Sequence, residues 1–232
     1  MALLQACLNG NRSRDEHPAV PIDAVELAAD ARACVAAGAG SIHVHPRDEH
    51  GRESLAAEVV DLVTVVVSAT CGEPVGVATG AWVEPDAERR AALVAGWRKP
   101  DFASVNLSEE GAAEVMRALD RAGIGIEAGV WSVEDAERLA AIRPRPPLTR
   151  VLVEVMEGGV AEAIAIEAAL DGLGIDAPRL IHGEGEACWP VIAHARRAGR
   201  DTRIGLEDTL LLPDGRPAPG NAALVGVVRA LG

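Results

Sequence analysis

Short apolar runs alternate with helical stretches from one end of the chain to the other. The run "LLQACLN" (3–9) reads as a strand and "DAVELAADARACVAAGA" (23–39) as a helix. Asp23 with Glu26 three residues on makes a capping-box start, and Gly38 marks the far end. A strand over 41–47 then leads into a helix over 55–69, and a strand over 74–80 into a helix over 86–97 capped by Asp86. The same pairing recurs as strand 102–108 with helix 110–122, and strand 123–131 with helix 133–142. Strand 149–157 precedes helix 160–173, and strand 178–183 precedes helix 187–199. Strand 202–209 reaches helix 221–231 after a turn at Pro213–Gly215. Strict strand–helix alternation implies a parallel sheet. About eight such units in a chain of this size are expected to close into a (β/α)₈ TIM barrel, here as a single domain over 1–232. An open doubly wound sheet is the competing arrangement, but the first strand–helix turn, "LNGNRSRDEHP", lacks the Gly-rich phosphate fingerprint.

Composition narrows the function classes. The chain carries a net charge of −13 and a single lysine, Lys99, which argues against a nucleic-acid partner. Aromatic residues make up only 2%, so the core must be built from Ala, Val, Leu and Ile. Cys7, Cys34, Cys71 and Cys188 show no paired spacing and read as reduced thiols. The N-terminus has no basic region before its apolar run, and "VVDLVTVVVSAT" is too short to span a bilayer. The expectation is a soluble, cytoplasmic protein with no membrane partner, and a homo-oligomer.

In a (β/α)₈ barrel the chemistry sits at the C-terminal ends of the strands. "SIHVHPRDEHG" (41–51) places His43 and His45 two residues apart, so on a strand both project from one face. Such a pair is either two thirds of a metal site or two polar residues on an open strand face. Glu207, at the end of the last strand, is the best third ligand, because that strand closes onto the first two in barrel order. Arg203 shares its strand face by even spacing. Asp208 can turn toward the pocket if it already lies in the loop, or it can cap the following turn. Thr79 ends the third strand. Ser104 and Asn106 share one face of the fourth, where a hydroxyl and an amide suit a carboxylate or carbonyl ligand.

Taken together, "HVHPRDEHGRESL", the "TG" at 79–80, "SVNLS" and "GLEDTLLLPDGRPAPGNAALV" resemble the β-keto acid cleavage enzymes, the family of 3-keto-5-aminohexanoate cleavage enzyme. The similarity runs over nearly the whole chain in the same order. It implies a (β/α)₈ barrel holding one divalent metal, usually Zn²⁺, on His43, His45 and Glu207. It also implies that Asp208 and Arg203 serve catalysis and that Thr79, Ser104 and Asn106 hold the substrate. The implied reaction condenses a β-keto acid with acetyl-CoA to give acetoacetate and a new acyl-CoA. One element departs from the family pattern. Where the family carries a glutamate after the first strand, this chain has Arg12, with Asp15 and Glu16 a few residues on as substitutes. The chain is also shorter than the family leads one to expect. Two other readings are a metal-dependent hydrolase of the amidohydrolase type and a non-catalytic barrel that binds a small acid. The hydrolase type carries its histidine pair on the first strand and further histidines on strands five and six, where this chain has Glu127 and Glu154.

Overall fold

The computed structural model describes residues 2–231. In chain order the paired elements begin β1 (Leu4–Cys7), α1 (Ala24–Ala36), β2 (Ser41–Val44), α2 (Ala57–Cys71), β3 (Val75–Ala78) and α3 (Ala87–Val94). They continue β4 (Phe102–Asn106), α4 (Ala112–Ala122), β5 (Gly125–Val130), α5 (Val133–Ala141), β6 (Arg150–Val155) and α6 (Gly159–Gly172). The last are β7 (Arg179–Gly183), α7 (Cys188–Arg197), β8 (Thr202–Ile204) and α8 (Asn221–Ala230). A short 3₁₀ turn, Gly185–Ala187, precedes α7. Every strand pairing is parallel, as it must be when each connection carries a helix. The strands neighbour one another in the order β7-β6-β5-β4-β3-β2-β1-β8. The ring closes between β8 and β7 through a bridge at Leu180 and Asp201, with the Ile181 N–H donating to the Asp201 carbonyl at 2.9 Å. This is a (β/α)₈ barrel.

Local chemistry sets the helix starts. The Asp23 carboxylate accepts from the N–H groups of Val25 and Glu26 while Glu26 reaches back, a complete capping box. Asp86 caps α3 by accepting from the Arg89 N–H at 2.9 Å. Among the described residues no helix is long and apolar enough to cross a membrane. All four cysteines are free thiols.

The strand faces that meet the helices are apolar, with Val44, Val77, Val105, Val153 and Ile181 buried there. The barrel interior is polar. At its floor Gln5 donates to Glu127 at 3.0 Å, and the Arg150 Nε lies 3.2 Å from the same Glu127 oxygen. Phe102 fills the remaining floor beneath the Arg150 guanidinium, 5.6 Å from its ring centroid. Opposite it stands Gly76, where a Cβ would lie 1.9 Å from the Phe102 ring. The one phenylalanine of the chain therefore requires a glycine on the neighbouring strand.

The eighth strand is much shorter than the periodicity suggests. It ends at Ile204, and residues 205–209 form a helical turn in which the Asp208 and Thr209 N–H groups both donate to the Gly205 carbonyl at 3.0 Å. Gly205 lets β8 lie against β1, since a Cβ there would sit 1.8 Å from the Cys7 carbonyl oxygen. Asn221 at the start of α8 pins this turn, accepting from the Leu206 N–H at 2.7 Å and donating to the Leu8 carbonyl at 2.8 Å. Arg203, on β8, and Glu207, in the turn that follows, consequently meet because the chain curls back, not by strand alternation. Both acids, Glu207 and Asp208, can face inward because neither is on a strand.

Candidate metal centre and active site

The upper mouth of the barrel opens into a cavity of about 460 Å³. His43 projects into it from β2 and is 1% exposed. His45 lies one residue past the end of β2, yet it keeps the strand's direction. The Asn9 side chain pairs with it as a neighbouring strand would, accepting from the His45 N–H and donating to its carbonyl, both at 2.9 Å. The two rings thus share one face, with centroids 5.2 Å apart. Glu207 Oε1 approaches from the turn after β8, 3.9 Å from His43 Nε2 and 3.7 Å from His45 Nε2.

These three residues offer ligand atoms that all lie within 4.8 Å of one another. Tetrahedral zinc with bonds of about 2.0–2.2 Å would place its ligands about 3.4 Å apart, close to the two carboxylate–imidazole separations of 3.9 and 3.7 Å. Two buried atoms in the cluster, Glu207 Oε2 and His43 Nδ1, have no hydrogen-bond partner. The donor set of two imidazoles and a carboxylate fits a divalent ion such as zinc.

The electrostatics point the same way. Burial pushes the His43 imidazole down to about 3, so it stands neutral. Burial also opposes charge on His45, but Glu207 and Glu53 outweigh it and raise that ring to about 9. Glu207 is held well below the usual carboxylate range: Arg203 and the two imidazoles overcome the effect of burial. In this arrangement a proton on His45 occupies the position that a cation would take.

Arg203 is 3% exposed and holds both acids of the turn. Its Nη2 lies 2.9 Å from Glu207 Oε1 and 2.8 Å from Asp208 Oδ1, and its Nε donates to Asp208 Oδ1 at 3.0 Å. Asp208 is fully buried behind Arg203 and is not on the cavity wall. His182 stands between Asp208 and Glu154, with each carboxylate oxygen 3.3 Å from a ring nitrogen. Neither approach has hydrogen-bond geometry, so these are ion-pair contacts. Burial and Arg203 oppose charge on His182, yet the two carboxylates raise it to about 9.

Ser104 and Asn106 line the cavity from β4, as their shared face requires. Thr79 is 2% exposed and stands off the wall, its hydroxyl donating to the Ser104 carbonyl at 2.7 Å. Arg12 and Glu16 reach the cavity together as an ion pair at 2.9 Å, whereas Asp15 points to solvent. The structure adds wall residues that spacing did not single out, Trp82, Trp131, Met156 and Glu184 among them. It also adds Glu53, whose Oε2 lies 2.9 Å from His45 Nδ1. No periodicity links Glu53 to His45, because a loop brings them together.

Fold and site define a class: a (β/α)₈ barrel with a two-histidine, one-carboxylate centre at its C-terminal mouth. Sequence comparison agrees and is more specific. The beta-keto acid cleavage enzyme family model matches residues 2–232, and the chain belongs to that family. No curated protein matches the sequence. Among solved structures, apo ObcA superposes with a TM-score of 0.71 at 16% identity, over 92% of this chain and 62% of ObcA. A ternary complex of ObcA with a C4-CoA adduct and oxalate gives 0.72 at 16% identity, over 92% and 64% of the two chains. A 3-dehydroquinate dehydratase from Geobacillus kaustophilus HTA426 gives 0.59 at 13% identity, over 100% and 92%. At these identities the likeness is one of fold. The chain spans less than two thirds of the length of ObcA.

Proposed function

We propose that the protein cleaves a β-keto acid with acetyl-CoA as co-substrate, releasing acetoacetate and a new acyl-CoA, with Zn²⁺ on His43, His45 and Glu207. The observation that carries this reading is the clustering of those three ligands at the mouth of the family's barrel. ObcA has been crystallised with oxaloacetate and with a C4-CoA adduct, ligands of the chemical kinds proposed here. A divalent metal at this centre supplies Lewis acidity to the oxygens of a keto acid.

The remaining work falls to the chain's own groups. Arg203 holds a fixed positive charge at the cavity wall, where it favours a substrate carboxylate or a developing anion. Asp208 touches Arg203 and not the cavity, so it acts by holding that guanidinium in place. Ser104 and Asn106 offer a hydroxyl and an amide to the substrate's far end, and Thr79 fixes the strand that carries them. Of the carboxylates that reach the cavity, Glu154 is the one paired with His182. Burial would raise its pKa, but His182 and Arg203 outweigh that and keep it below its ordinary value. It is therefore ionised and placed to accept a proton from bound substrate.

The Arg12–Glu16 pair favours one competing reading, a barrel that binds a small acid without turnover, because an arginine stands where the family has its acid. The hydrolase reading lacks its further histidines: β5 and β6 present Glu127 and Glu154. A steady-state assay of the zinc-loaded protein with a panel of β-keto acids and acetyl-CoA separates these. Acetoacetate from at least one member is expected. Zinc bound with no acetoacetate from any member would refute the reaction.

A further inference from the structure

Arg47 and the turn that follows it have no part in the chemistry so far, yet they are tightly built. Residues 46–54 form a small hairpin: the Asp48 N–H donates to the Arg52 carbonyl at 2.8 Å and the Ser54 N–H to the Pro46 carbonyl at 2.9 Å. Arg47 and Glu53 face each other across it as an antiparallel bridge. The Arg47 guanidinium anchors the hairpin to the loop after β1, donating to the carbonyls of Gly10 at 3.1 Å and Arg12 at 2.6 Å. The hairpin delivers Glu53 beside the metal centre. Its Oε2 lies 2.9 Å from His45 Nδ1 and accepts from the Trp82 indole N–H at 3.0 Å. The Trp82 ring stacks on His45, with centroids 5.9 Å apart and planes 17° from parallel. Gly80 makes room for it, since a Cβ there would lie 2.3 Å from the indole.

A carboxylate only accepts hydrogen bonds, so a neutral His45 must carry its proton on Nδ1 and keep its Nε2 lone pair free. Nε2 is the atom that faces Glu207. We propose that Glu53 and Trp82 are positioning residues of the metal centre, locking the ring orientation and the Nδ1–H tautomer of His45 and thereby setting metal affinity. This rests on the reading that His43, His45 and Glu207 hold a divalent metal. It accounts for the hairpin: Arg47 and the turn hold Glu53 in register with a histidine eight residues earlier.

The test uses the purified full chain and zinc alone. The zinc dissociation constant is measured by competition with a chromophoric chelator for wild type, Glu53→Ala, Glu53→Gln and Trp82→Phe. Loss of such an outer partner typically weakens metal binding about 10–100-fold, and that is expected for Glu53→Ala. Glu53→Gln keeps an acceptor oxygen and should recover most of the loss, while Trp82→Phe, which keeps the stack but not the N–H donor, should weaken binding several-fold. Long-range ¹H–¹⁵N spectra of the zinc-loaded protein should show His45 protonated on Nδ1. A merely structural role for Glu53 would lower the melting temperature and leave both the zinc constant and the tautomer unchanged. A folded Glu53→Ala variant that binds zinc as wild type does would overturn the proposal, and so would an Nε2-protonated His45. If Glu53→Ala does not fold, wild-type affinity in both Glu53→Gln and Trp82→Phe overturns it. Wild type that takes up no zinc would instead overturn the metal reading beneath it.

Discussion

Replacing Arg203 with methionine should lower the stability of the metal-free protein and raise its affinity for zinc. Arg203 is 3% exposed, and its guanidinium makes three contacts of 2.8–3.0 Å to Glu207 and Asp208. Methionine preserves much of the side-chain length and removes the charge. Asp208, fully buried, would then face only His182 at 3.3 Å. Leaving one member of a buried pair uncompensated costs about 3–5 kcal/mol. For a chain of this size about 1 kcal/mol moves the melting temperature by about 2–4 °C, so a fall of about 6–20 °C is expected in chelator. In the presence of zinc the sign of one contribution reverses. The guanidinium shares Glu207 Oε1 with the two imidazoles, so its charge repels a dication bound there. Without it zinc should bind more tightly, and since stabilisation grows with ligand affinity, part of the deficit should be recovered. Urea or thermal unfolding of both proteins, in chelator and in saturating zinc, gives the four values needed. A loss below about 1 kcal/mol in chelator, the range of ordinary surface changes, would refute the buried-pair argument. Equal zinc stabilisation in both proteins would refute the shared-oxygen argument.

His45, raised to about 9, must lose a proton before it can coordinate. Between about pH 7 and 9 the apparent zinc affinity should therefore rise with pH, at about tenfold per unit, and level off above; calorimetry in two buffers should find about one proton released per zinc. An affinity flat across that range would show that the ring is already neutral. Gly76→Ala forces a Cβ to within 1.9 Å of the Phe102 ring and should destabilise the fold by at least about 1–3 kcal/mol, read from the urea midpoint; an unchanged midpoint would mean that the floor can repack freely. Thr79→Val removes the hydrogen bond to the Ser104 carbonyl and should cost about 0.5–1.5 kcal/mol of stability without altering zinc affinity. A large change in zinc affinity instead would place Thr79 in the metal centre.

Much of this architecture is written locally in the chain. Alternating apolar runs and helical stretches specify the eight units, and the Asp23 and Asp86 caps are where the spacing puts them. The HxH pair works because period-two alternation is a property of the backbone, and Asn9 extends it one residue past the strand's end. The turn carrying Glu207 and Asp208 was not legible as a turn. "RIGLEDT" alternates well enough for a strand, and what breaks it is tertiary: Gly205 packed on the Cys7 carbonyl and Asn221 bonded to Leu206. Thr79 looks like a ligand group by its place at a strand end, but its hydroxyl is committed to the next strand. Glu53 and Trp82 escaped notice, and Glu154 stood out only as an acid of strand six, for a common reason. Each gains its role from a partner on another element, and no spacing rule connects Glu53 to Trp82 or Glu154 to His182.

The polar interior gives a reason of its own for a cation at the mouth. A barrel of this size can be filled with branched apolar side chains, and replacing buried ion pairs by such residues is often neutral or stabilising. Stability therefore does not explain why Glu127, Glu154, Glu207 and Asp208 are enclosed with only Arg150 and Arg203 as guanidinium partners. Burial lifts Glu127 to about 7 despite Arg150, so the floor sheds part of its charge by holding a proton. His182 offsets one of the upper carboxylates. Glu207 is held ionised, shares Arg203 with Asp208, and otherwise has only the proton on His45 to offset it. The shortage of positive charge is thus concentrated at the carboxylate that faces two imidazoles. A divalent ion there would supply it and a proton on His45 would supply only part, which is the competition that the predicted pH dependence of zinc binding measures.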